Sequence, residues 1–82
     1  MYLDQTRDLL TDTLNLGEAG KHLTAESPLL GALPELDSMA VVTLIAAMED
    51  RFGIMIDDDD ISASTFETLG SLAAFVEQKS AQ

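Results

Sequence analysis

An all-α fold, a small helical bundle with one long first connection, is what the sequence predicts, and three observations carry it. Apolar residues recur at helical spacing near the start, the middle and the end of the chain. No run shows convincing period-two alternation with turn chemistry around it. Three glycines and both prolines lie between residues 17 and 36, separating the first periodic segment from the second. With 82 residues, the chain is expected to form one small domain, 1–82, around a single core.

The first helix comes from Tyr2 to Leu16. Apolar residues fall at 2, 3, 9, 10, 14 and 16, Thr6 and Thr13 complete the stripe, and Gly17 is a natural C-terminal stop. The long connection that follows carries Leu23, Leu29, Leu30, Leu33 and Leu36. Leucines at that density are expected to pin it to the core, since long free loops are unusual in compact domains. The second helix is predicted from Ser38 to Phe52, stopping at Gly53, with Val41, Leu44, Ile45, Met48 and Phe52 on its core side. Ile54 and Ile56 then serve as buried anchors, and Asp57 to Asp60 give an acidic start to a short third helical turn. The last helix takes Thr68 as its N-cap, buries Leu69, Leu72, Ala73 and Val76, and places Lys79 near its C-terminal end.

Charge and composition exclude several classes of function. Fifteen Asp and Glu against four Lys and Arg give a formal charge of −11, which repels nucleic-acid phosphates and anionic membranes and draws in basic protein surfaces. With 46% hydrophobic residues the chain nevertheless folds rather than staying disordered. The absence of cysteine removes disulfides, thiolate metal sites and a cysteine nucleophile together. The start "MYLDQTRDLLTDT" lacks a basic region followed by an apolar run, and the longest apolar stretch, 39–48, is too short to span a bilayer. A cytoplasmic monomer with no membrane insertion is expected.

The junction "LDSM" raises a question of function. One acceptor suffices to cap a helix start, yet Asp37 and Ser38 stand side by side there. If Asp37 caps, its carboxylate also suits the positive end of the helix dipole, and the Ser38 hydroxyl is left free in the first turn. Beside it Met39, Val42 and Ala46 project away from the core stripe, with Ala40, Thr43 and Ala47 further round, before acid returns at Glu49 and Asp50. Exposed apolar surface rimmed by charge marks a contact site more often than an accident.

At these residues the chain resembles the acyl carrier protein family. "ELDSMAVVTLIAAMEDRFGIMIDDDDIS" looks like the signature in which an Asp-Ser-Leu or Asp-Ser-Met triplet opens the second helix of a small acidic four-helix bundle with a long first loop and a short third helix. The "FGIMID" exit from that helix and the "FETLGSL" entry to the last one extend the likeness over nearly the whole chain. The resemblance implies that the chain is no enzyme. Ser38, beside Asp37, is then the attachment point for 4′-phosphopantetheine, donated from coenzyme A by a phosphopantetheinyl transferase with magnesium. The arm's terminal thiol carries an acyl thioester between acyl-loading and acyl-using enzymes with basic docking surfaces.

One departure bears on those partners. Carriers of fatty-acid synthesis commonly show acidic residues in the first turns of the second helix, where this chain has Ala40, Val41 and Thr43. Docking is therefore expected to use Met39, Val42, Thr43 and Ala46, with Glu35, Asp37, Glu49 and Asp50 steering approach. "LLGALPELDSMAVV" is similar to discrete carriers of dedicated bacterial pathways, such as those near exopolysaccharide or exosortase systems. The bundle is expected to open a slot for an acyl tail, each buried methylene contributing about 0.8 kcal/mol. The alternatives are a carrier of aminoacyl or D-alanyl groups, and an unmodified acidic helical adaptor for a basic partner.

Sharper chemistry does not fit. A catalytic Ser38 would need a base, and the one histidine, His22, sits in the long loop with no Gly-x-Ser-x-Gly elbow around the serine. A single histidine does not supply the common zinc constellations. An EF-hand frame from Asp57 puts Ser62 and Thr68 where glycine and glutamate belong, and a frame from Asp58 puts Ala63 and Leu69 there. Asp57 to Asp60 are expected to be a solvated, helix-starting cluster with at most loose attraction for divalent ions, so no metal site is assigned.

Overall fold

The structure, a computed structural model, describes residues 2–81, the side chains at 58 and 63 excepted. Four helices and no strands account for its regular structure among these residues, apart from two short 3-10 turns. They are α1 (Leu3–Leu14), α2 (Glu18–Lys21), α3 (Ser38–Phe52) and α4 (Leu69–Ser80), with the 3-10 turns at Asp58–Asp60 and Ala63–Phe66.

α1 buries Thr6, Leu9, Leu10 and Leu14 and ends three residues before Gly17. Its stop is Asn15, left-handed at φ 56°, whose N–H donates to the Thr11 carbonyl. Asparagine tolerates that conformation better than most side chains, so the helix closes before the glycine is reached. The expected long loop then contains a turn of helix, α2, laid against α1 at Gly20, where a Cβ would collide with the Thr11 side chain.

The rest of the loop is fastened at both ends. Arg7 Nε donates to the Leu23 carbonyl at 2.9 Å. Further along, the loop pairs with the entry to α4: Leu29 N–H to Glu67 O and Leu30 N–H to Phe66 O run one way, and Leu69 N–H to Ser27 O and Gly70 N–H to Ala25 O run the other. Leu29 and Leu36 are buried and Leu23 and Leu33 partly so, but Leu30 faces outward. That correction to the expected leucine anchors follows from a turn: the Leu29 carbonyl accepts the Ala32 and Leu33 N–H groups, so Leu29 and Leu33 share the inner side and Leu30 falls on the outer one.

The predicted limits of α3 hold, with Gly53 left-handed at φ 64° as its stop. Leu44 and Met48 are fully buried, while Val41, Ile45 and Phe52 are half-buried against the core. The short third helix consists of the two 3-10 turns, after which Thr68 and Ser71 form a reciprocal capping box for α4. Leu69, Leu72, Ala73 and Val76 are buried as expected, and the two leucines and the valine meet Leu9, Leu10, Leu44 and Met48 in one core. Exposure of each of these leucines and of Val76 would forfeit about 1.5–3 kcal/mol, which is why the amphipathic stripes rather than intrinsic propensity hold the helices together.

Candidate functional site: the leading end of α3

Leu36, buried, brings the loop into α3, and Asp37 follows in extended conformation as the N-cap. Asp37 Oδ1 accepts the Ala40 N–H at 2.8 Å, and the Asp37 carbonyl accepts the Val41 N–H at 2.9 Å. Capping is thus completed by Asp37 alone. The N–H groups of Ser38 and Met39 keep no intrahelical acceptor, as at any helix start, and the positive end of the helix dipole lies there.

Ser38 is exposed, and its hydroxyl makes no hydrogen bond among the described residues. The other serines differ. Ser27 Oγ accepts the Thr24 N–H at 2.8 Å, Ser62 and Ser64 pair with each other at 2.8 Å, and Ser71 Oγ donates to carbonyls of Thr65 and Thr68. Ser80 Oγ is buried. A transferase approaching from solvent therefore finds at Ser38 an unengaged nucleophile, and at the other serines engaged or covered ones. The sequence points to Ser38 by its neighbours, whereas this hydroxyl economy becomes visible only in the fold.

From Ser38 the outward face of α3 runs through Met39, Val42, Thr43 and Ala46, all exposed, at helical spacing. Met39 is 74% and Val42 62% exposed, far beyond what core-facing residues show. Thr43 Oγ1 donates back to the Met39 carbonyl at 3.0 Å, which satisfies the hydroxyl within the helix. No charged residue occurs from 38 to 48. Ala40 and Ala47 are half-buried and belong with the core side.

The acidic residues around this strip are not equivalent. Glu35 and Asp50 are exposed, and Asp37 is committed to its cap. Glu49 is half-buried, and its Oε2 accepts the Ile56 N–H at 2.9 Å, tying the chain exit to α3. His22 is exposed in the loop. Each of the four basic side chains meets an acid: Arg7 with Asp4, Lys21 with Glu18, Arg51 with Asp12 and Lys79 with Asp60. No group of three or more His, Asp or Glu is placed to hold a metal among the described residues, and the side chain of Asp58 lies outside them. An apolar cleft of about 230 Å³ lies away from the strip, lined by Leu3, Ala25, Gly70, Ala73, Ala74 and Glu77, with no residue of α3.

A family model described as the phosphopantetheine attachment site matches residues 4–76. The chain is also similar to a holo acyl carrier protein from Nitrosomonas europaea solved by solution NMR, at 58% identity and a TM-score of 0.93, over 100% of this chain and 99% of that one. The chain belongs to the acyl carrier protein family. This carrier is accordingly a presenting domain and not a catalyst, and 4′-phosphopantetheine, covalently attached, is its cofactor. The leading end of α3 fits such a group: a phosphate ester at an exposed first-turn hydroxyl would lie at the helix's positive end, beside backbone N–H groups without acceptors. No helix is long and apolar enough to cross a membrane among the described residues.

Proposed function

We propose that this carrier receives its arm on Ser38 and presents acyl thioesters to partner enzymes across the outward face of α3. The observation that carries the assignment is the division of labour at the helix start, Asp37 capping at 2.8 Å while the adjacent hydroxyl stays exposed and unengaged. The bound arm supplies a terminal thiol, which this cysteine-free chain lacks, for thioester formation with the cargo. The chain's own residues hold the attachment point at the tip of α3, where the Asp37 carboxylate is taken up by the Ala40 N–H and the hydroxyl is hydrogen-bonded to no base among the described residues. That suits a domain in which the chemistry belongs to the partners.

The partners are a phosphopantetheinyl transferase and the acyl-loading and acyl-using enzymes. Asp50, Glu35 and the overall charge of −11 attract basic surfaces at long range, and Met39, Val42, Thr43 and Ala46 make the contact. We place this carrier in the cytoplasm as a monomer, and the uncharged outward face of α3 supports a specialised bacterial pathway for it.

The test is the intact mass of the purified chain after incubation with coenzyme A, magnesium and a broad-specificity transferase. Gain of one phosphopantetheinyl group is expected. An unchanged mass would favour the unmodified acidic adaptor instead.

A further inference from the structure

Only two large apolar side chains stand on the outward face of α3, Met39 at 74% exposure and Val42 at 62%. The remaining members of the strip, Thr43 and Ala46, are small. With no charged residue from 38 to 48, close docking there has little besides apolar contact to draw on. One of those two side chains is a thioether, placed immediately after the attachment serine and open to solvent. Met48, nine residues on in the same helix, is fully buried.

We propose that Met39 is an oxidation site through which peroxide switches off docking at the leading end of α3, a proposal that rests on the assignment of that face as the partner surface. The Met39 sulfur attacks one oxygen of hydrogen peroxide, forming the S–O bond as the O–O bond breaks. The second oxygen leaves as hydroxide and takes the proton of the attacked oxygen to become water, the sulfur losing two electrons and the peroxide gaining them. The sulfoxide is polar and strongly dipolar where the thioether was apolar and adaptable. Burying it against a partner leaves an acceptor oxygen that an apolar contact does not satisfy. A methionine sulfoxide reductase with a thiol reductant returns the thioether, so the switch is reversible. The fold is spared, because Met39 is not part of the core and buried Met48 is shielded.

The experiment uses the 82-residue apo chain, treated with hydrogen peroxide at a dose at which peptide mass analysis shows oxidation at Met39 and none at Met48. The readout is the rate of phosphopantetheinyl transfer from coenzyme A at carrier concentrations below KM, with far-ultraviolet circular dichroism recorded in parallel. Each protein being compared with its own untreated rate, the expected result is a fall of about tenfold in wild type and in Met55→Leu, no fall in Met39→Leu, and recovery after treatment with both reductase types. Met55, at 82% exposure, oxidises as readily and thus reports whether sulfoxide in general or its position matters. Equal rates before and after oxidation, or an equal fall in Met39→Leu, would overturn the switch. Failure of untreated wild type to accept the arm at all would instead overturn the carrier assignment, so the two failures are distinguishable.

Discussion

Glu49 Oε2 accepts the backbone N–H of Ile56 at 2.9 Å, bridging seven residues across the Gly53 turn. The bond folds the chain exit back onto α3 and sets Ile54 into the core while Met55 points outward. Glu49 and Asp50 are neighbours in sequence, yet only Asp50 is a freely exposed charge. Their substitutions are therefore expected to separate. Glu49→Ala destabilises by about 1 kcal/mol in urea unfolding, because a partly buried N–H loses its acceptor, and Glu49→Gln, which keeps an acceptor oxygen, loses less. Asp50→Lys leaves the urea midpoint nearly unchanged and slows association with a basic partner at low salt, which stopped-flow mixing at two ionic strengths would register.

Thr6 is fully buried in α1, and its hydroxyl finds no hydrogen-bond partner among the described residues. Thr6→Val keeps the branched shape and removes the unsatisfied oxygen. Chemical denaturation is expected to show a gain of about 1 kcal/mol, whereas Thr6→Ser, which keeps the oxygen and opens a gap, should lose stability.

Gly70 lies in the first turn of α4, where helix propensity alone favours alanine. A Cβ at that position would come within 2.7 Å of the Ala25 carbonyl oxygen, the same atom that accepts the Gly70 N–H at 2.8 Å. Gly70→Ala is expected to cost about 1–3 kcal/mol by thermal unfolding, despite the better propensity, because the loop strand must move off the helix.

Asp60 is held below the usual carboxylate range, first by the Asp57 backbone N–H and then by the hydrogen bond and charge of Lys79, whose ammonium lies 2.9 Å away. A carboxylate whose folded-state pKa is lowered adds stability that is complete above its ordinary range and is lost as pH falls through the lowered value. Asp60→Asn should therefore lower the melting temperature at neutral pH, with the difference from wild type closing as the solution is acidified below the normal aspartate range. A difference that stayed constant down to strongly acidic pH would contradict the assigned cause.

Much of this architecture is written in local sequence. The stripe of α3, its Asp37 cap and its Gly53 stop give the helix limits correctly, and Thr68 marks the start of α4, because capping and periodicity depend on residues a few positions apart. What escaped depends on how the backbone turns and which side-chain atoms it brings together. α2 is a single turn, too short to show a period, and it is positioned by Gly20 meeting Thr11. Leu30 counts as a core residue by type, and it is the turn from Leu29 to Leu33, held against the entry to α4, that puts it outside. At the site, the sequence places Ser38 and the apolar strip, but it does not reveal that Glu49 is spent on Ile56 or that Thr43 bonds back to Met39. Both facts follow from the three-dimensional course of the backbone.

The central claim is that one hydroxyl, at Ser38, takes the arm. Peptide-level mass mapping of the enzymatically modified chain, run beside Ser38→Ala, tests it most directly. The phosphopantetheinyl group is expected on the peptide containing Ser38 and nowhere else, with the variant folded but unmodified. An arm found on Ser27, Ser62, Ser64, Ser71 or Ser80, or a modified Ser38→Ala protein, would contradict it.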